Sequence, residues 1–155
     1  LLHLADRVAT RLRASARPGR TITVRVRFAD MRAVSRAATL DAPISATAML
    51  AEIAEELVRG VLADHAQERF ISLLAISVSH LEPCWDLQLE LPLGLPDEKS
   101  RPGSKQAMAR WSADCAIDAI RDRFGREAVG YGSVALGPSR SVPDAFRELA
   151  EKDLS

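Results

Sequence analysis

Only 8 glycines, 8 prolines and 2 cysteines occur among the 155 residues, and aromatic side chains make up 5%. Cys84 and Cys115 are too few and too far apart for a disulfide framework or a metal knuckle, which points to a reducing, cytosolic compartment. No apolar run approaches the roughly 18 residues of a membrane span, so a soluble chain with no membrane partner is expected. A Gly-rich phosphate loop, a Ser/His/Asp order and metal-ligand spacing are all missing, and His3, His65 and His80 are scattered. The acidic residues read as helix-surface residues rather than as strand-end carboxylates that could hold two metal ions. Neither catalysis nor a cofactor is therefore expected of this chain. Its first residues, Leu1-Leu2-His3-Leu4-Ala5-Asp6-Arg7, lack the basic start and apolar centre of a secretory signal and read as a helix already under way, as if cut from a longer protein.

What is present suffices for one core and a small appendage: 47% of residues are hydrophobic and 27% charged. The net charge of zero hides a polarity along the chain. Residues 1 to 40 carry nine Arg and two Asp, leaving twelve basic and nineteen acidic residues for the rest. The first quarter is thus suited to a polyanion, with a merely solvated arginine-rich face as the plain alternative.

Leu1, Leu4, Ala5, Val8, Ala9 and Leu12 recur at helical spacing and predict an amphipathic helix with Asp6, Arg7, Arg11 and Arg13 toward water, ended by Arg17-Pro18-Gly19. Ile22, Val24, Val26 and Phe28 alternate with Thr21, Thr23, Arg25 and Arg27, the pattern of a strand with one buried and one basic face. A short connection at Asp30-Met31 leads to a returning strand over residues 32 to 40. A loop over residues 41 to 45 then supplies Ser45 as N-cap of a helix reaching about Gln67 with Leu50, Ile53, Ala54, Leu57, Val58, Val61 and Leu62 on its stripe. A third strand follows from Ile71, alternating through Leu74, Ile76 and Val78 and closed by Pro83. Residues 94 to 103 are loop-forming. Ser104 is placed to cap a helix through Phe124 with Met108, Trp111, Cys115, Ile120 and Phe124 on one side and Gly125 at its stop. A short extended piece over 127 to 136 and a final helix from Pro143 to about Lys152 complete the pattern. The order α, β, β, α, β predicts an α+β fold, with two helices on one face of an antiparallel sheet and the opposite face free for a ligand.

The hairpin Ile22-Thr23-Val24-Arg25-Val26-Arg27-Phe28-Ala29-Asp30-Met31-Arg32-Ala33-Val34-Ser35-Arg36-Ala37-Ala38-Thr39-Leu40 resembles the "strand, FxDF, TRSxTL" hairpin in the little finger domain of bacterial Y-family polymerases of the DNA polymerase IV type. Leu73 to Leu81 is similar to that family's "RLLGVxVSxL" strand, and Gln88-Leu89-Glu90-Leu91-Pro92-Leu93 stands where the family places its sliding-clamp motif, QLxLxL or QLxLF. The resemblance covers roughly residues 1 to 95; the stretch 104 to 136, ending Arg121 to Val129, is similar to a tail in longer bacterial members. Ala37 replaces a frequent Ser, Ala75 a Gly and Ser72 a frequent Arg, so at least two usual phosphate contacts are changed. The family domain also begins with a strand ahead of the first helix. A chain lacking it is expected to keep three strands and an exposed sheet edge.

The resemblance implies three parts: a DNA-binding little finger over 1-83, a clamp-binding segment and linker over 84-103, and a C-terminal helical extension over 104-155. It implies contact with the duplex DNA phosphate backbone through Arg25, Arg27, Arg32, Ser35, Arg36, Thr39, Ser77 and Ser79, without sequence preference because these groups suit phosphates better than base edges. It implies that Gln88, Leu89, Leu91, Pro92 and Leu93 bind the bacterial beta sliding clamp, against the alternative of a strand packed on its own domain. Further implications are the palm, finger and thumb core of the same polypeptide as a partner, Mg2+ as cofactor of the parent polymerase but not of this part, and a cytoplasmic, nucleoid-associated location. Two other classes remain open: the little finger of a catalytically inactive Y-family accessory protein, and a free-standing RNA-binding α+β module. Against the latter, the strands lack a surface aromatic pair for base stacking.

Overall fold

The computed structural model describes residues 1–68, 70–83 and 105–132. Helix α1 (Leu2–Ala14) leads into strands β1 (Gly19–Phe28) and β2 (Ala33–Ile44), helix α2 (Thr47–Asp64), strand β3 (Ile71–Leu81) and helix α3 (Lys105–Phe124). The three strands form one antiparallel sheet in the order β2-β1-β3, so the strongly alternating β1 is central and both neighbours are outer strands. α1 and α2 cover one face. The α+β architecture expected for a little finger domain is present.

Parity explains the core. Ile22, Val24, Val26 and Phe28 are fully buried under the helices, where successive β residues point to opposite faces. Ile22 joins Ala5, Leu12, Met49 and Leu50 toward one end of the sheet, while Val24, Val26 and Phe28 meet Ala54, Val58 and Val61 toward the other. β2 runs four residues beyond the sequence expectation, through the segment read as a loop, and Pro43 is tolerated because β2 is an outer strand. α2 stops at Asp64, three residues short of Gln67.

Four local expectations are corrected. Ser45 does not cap α2: the N-cap is Ala46, which makes no side-chain cap bond. Instead the Thr47 backbone N–H donates to Asp114 Oδ2 of α3 at 2.7 Å. Asp6 and Arg7 on α1, expected in water, are 3% and 7% exposed, and the Arg13 side chain is equally buried. α3 ends where expected, with Gly125 adopting φ 94° at its stop. Its large apolar residues are nevertheless not its docking face: Met108, Trp111, Ile120 and Phe124 are all exposed, and Ala107, Asp114, Asp118 and Arg121 face the fold. At 100° per residue, Met108 and Cys115 lie on one flank of the helix and Ile120 and Phe124 on the other, so no single stripe exists. From 126 to 129 the chain makes turns and bends rather than an extended piece. The final helix expected after Pro143 lies outside the described residues.

α3 is fastened by a buried polar network. Arg13 Nε and Nη2 donate to the two Asp118 oxygens at 2.6 and 3.1 Å. Arg13 Nη1 reaches Ser45 O at 2.8 Å and Asp114 Oδ2 at 3.2 Å. Arg121 Nη1 donates to Asp6 Oδ1 at 3.0 Å, and the Tyr131 hydroxyl donates to Asp114 Oδ1 at 2.5 Å. Asp114, Asp118 and Arg121 share one face through their i, i+4, i+7 spacing. Burial alone would lower the Arg13 pKa, but the hydrogen bond it donates to Asp118 and the charges of Asp114 and Asp118 raise it. Tyr131 is pushed up to about 12 by burial and by its bond to Asp114. Among the described residues no buried side-chain polar atom lacks a partner.

Candidate nucleic-acid interface

The face of the sheet away from the helices is built by the odd residues of β1 and their cross-strand partners. Thr21, Thr23, Arg25 and Arg27 pair with Thr39, Ala37, Ser35 and Ala33 of β2 and with Ser79, Ser77, Ala75 and Leu73 of β3. Directly opposed residues of an antiparallel pair share a face. Two arginines therefore stand on the central strand between flanking rows of mostly Ala, Ser and Thr. Small neighbours leave a guanidinium free to project, and hydroxyls add neutral donors.

Arg25 is exposed and has no side-chain partner among the described residues. Arg27 Nε donates to Ser72 Oγ at 3.2 Å, while Ser72 Oγ donates to the Phe28 carbonyl at 2.8 Å. Ser72 thus steadies the irregular step of β1 between Arg27 and Phe28. At the other end, Thr21 Oγ1 lies 2.9 Å from Thr39 Oγ1 and 2.8 Å from His80 Nδ1. His80 is held in the left-handed region at φ 52°, and Thr21 is covered. His80 is a residue that sequence reading misses; strand periodicity carries no signal for a positive φ.

The expected residues do not all come together. Arg25, Arg27, Ser35, Thr39, Ser77 and Ser79 share the open face. Arg36 does not: it is paired with Val24, on the helix-covered side, and reaches over α2 to Asp64. Its charge suggests the ligand face, but the β2 register puts it with Val34, Ala38 and Leu40. Arg32 occupies the hairpin tip, where Nη2 lies 2.5 Å from Glu68 Oε1 and the guanidinium carbon sits 5.9 Å from the centre of the Phe28 ring. Gln88, Leu89, Leu91, Pro92 and Leu93 lie outside the described residues. Among the described residues no group of His, Cys, Asp or Glu is placed to hold a metal ion, and no helix is long and apolar enough to cross a membrane.

The arrangement can grip a polyanion by its charges and hydroxyls, donors that suit phosphate oxygens. Comparison with known proteins agrees with the resemblance read from the hairpin. The impB/mucB/samB family C-terminal domain matches residues 1–91. The chain is 75% identical over 154 residues to DNA polymerase IV 2 of Mesorhizobium japonicum, covering 99% of this chain and 37% of that protein. It is 35% identical over 129 residues to DNA polymerase IV 1 of the same organism, covering 83% and 26%. With DNA polymerase IV of Dehalococcoides mccartyi the identity is 27% over 146 residues, covering 93% and 32%. The chain spans about a third of the length of these curated relatives.

Proposed function

The chain belongs to the impB/mucB/samB family of C-terminal domains, and from that premise we propose that it is the non-catalytic, duplex-gripping and clamp-tethering region of a DNA polymerase IV. The observation that carries the reading is the open sheet face, where Arg25 and Arg27 stand on the central strand among Ser35, Thr39, Ser77 and Ser79. Guanidinium and hydroxyl donors at that spacing meet phosphate oxygens, which recur identically on every sequence. A polymerase that accepts damaged templates gains from such a grip because it is indifferent to what the template carries.

In this reading residues 1-83 hold the DNA and residues 84-103 carry the clamp-binding peptide and linker. Gln88 supplies a two-sided amide, and Leu91 and Leu93 supply apolar anchors for a pocket on the beta sliding clamp. Residues 104-155 form a helical extension. The palm, finger and thumb core of the same polypeptide performs nucleotide transfer and holds Mg2+. Replacing Arg25 and Arg27 with Glu tests the grip: binding to a labelled duplex should be lost. For the unaltered chain, affinity should fall with salt at a log-log slope of about −0.9 per phosphate contacted. Sequence-specific or salt-independent binding would defeat this reading.

A further inference from the structure

Arg36 stands apart from the other basic residues of the hairpin. It leaves β2 on the helix-covered side, lies across α2 and pairs with Asp64. Two features of α2 that disfavour a helix coincide at this contact. Gly60 sits inside α2, where glycine is a poor choice, and the three heavy atoms nearest to an added Cβ there belong to the Arg36 side chain, with Nη1 the nearest. Asp64 is the last residue of α2, whose final turn holds no basic residue, and a helix C-terminus carries partial negative charge that repels a carboxylate. One guanidinium accounts for both: the glycine makes room for it and the aspartate holds it.

We propose that Gly60 and Asp64 form a seat that parks Arg36 away from the DNA-gripping face, so that vacating the seat adds a phosphate contact and tightens the grip. The inference rests on the DNA-binding reading of the open face. Both partners are open to solvent, with side-chain exposures of 41% for Arg36 and 55% for Asp64, and exposed ion pairs are weak. A phosphate can therefore compete with Asp64 for the guanidinium. β2 is an outer strand, and three strands span only about 10 Å between their outer members. A duplex laid on the open face overhangs the β2 edge, where a released arginine would emerge. The seat keeps the resting grip weaker than the arginine content allows, which favours sliding over fixed attachment.

The test compares Gly60→Ala and Asp64→Asn in the full chain by fluorescence anisotropy with a labelled duplex at several salt concentrations, with thermal melting as the folding control. Gly60→Ala displaces Arg36 without changing any charge, which separates release of the arginine from a general gain in positive potential. Both variants should bind more tightly, with a log-log salt slope steeper by about 0.9, so that the gain is roughly threefold larger at 50 mM than at 200 mM salt. In an Arg36→Gln background the Gly60→Ala gain should vanish, and Asp64→Asn should keep only what the loss of its negative charge supplies, with no steeper slope. Unchanged affinity and slope in folded Gly60→Ala, or a Gly60→Ala gain that persists without Arg36, would overturn the seat. A folded, unaltered chain that bound no duplex at any salt concentration would instead overturn the DNA-binding reading, and the seat with it.

Discussion

At the scale of single residues, Asp114 carries the most consequences. The residue is 1% exposed, and its carboxylate accepts from the Thr47 N–H, the Arg13 guanidinium and the Tyr131 hydroxyl. Asp114→Ala leaves Arg13 short of a charge and α2 without its cap. Breaking a buried pair from one side costs about 3–5 kcal/mol, which lowers the melting midpoint of a chain this size by roughly 10 °C. An equal loss in Asp114→Asn and Asp114→Ala would point to the charge, because Asn keeps an oxygen that can accept from the Thr47 N–H. Tyr131 adds a pH signature. Its pKa is raised to about 12 in the folded chain from about 10 in the unfolded one, so its contribution is fully present below pH 10 and is lost between about pH 10 and 12. Melting curves across that window should flatten in Tyr131→Phe.

Among whole elements, α3 sends Ala107 into the core but leaves its large apolar residues outside. Ile120 and Phe124 are exposed, so Ile120→Ser and Phe124→Ser should each change stability by no more than about 0.5 kcal/mol. Asp118→Ala should cost more, about 1.5–3 kcal/mol, because Arg13 Nε loses its charged acceptor and the guanidinium keeps Asp114 as its carboxylate partner; thermal melting of the three proteins would show the opposite order if the apolar residues held the helix. This contrast marks what sequence reading can reach. The ends of α3 are legible because helical spacing and a glycine stop are local signals, Gly125 closing the helix with φ 94°. The docking face is not, because Asp114 and Arg13 are far apart in sequence and pair only once both helices are placed. β1 is legible because four apolar residues alternate without exception. β2 is ambiguous: Ala33, Ala37 and Ala38 carry almost no face preference, and the charge of Arg36 points to the ligand face while its register places it on the other. The extended end of β2 is hidden by Pro43, which argues against a strand unless the strand is known to be an outer one.

For the molecule as a whole, the separation of charge along the sequence becomes a separation of tasks in space. In the proposed reading Arg25 and Arg27 on the open face serve DNA, whereas Arg13 and Arg121 are consumed inside the fold by Asp114, Asp118 and Asp6. Part of the opposing charge carried by the later residues is thus internal, and the net charge of zero says little about what the open face presents. The proposed tether makes a separate demand on the molecule. Leu91→Ala and Leu93→Ala should each weaken binding to the sliding clamp about tenfold or more, since burying a leucine contributes ~1.5–3 kcal/mol. Neither should shift the melting midpoint if the segment projects from the domain. Loss of stability with unchanged clamp affinity would identify it as a packed strand.

The polar docking of α3 also means that the chain contains its own ligand. Asp114, Asp118 and Arg121 act as a recognition pattern, and Arg13, Asp6 and the start of α2 act as the receptor. Covalent connection raises the local concentration of one for the other, whatever else the intervening residues do. A chain ending at residue 104 and a separate peptide of residues 105–132 should therefore reassemble as two pieces, with a melting midpoint that climbs as peptide is added. Fragment complementation of this kind would fail for a peptide carrying Asp114→Ala.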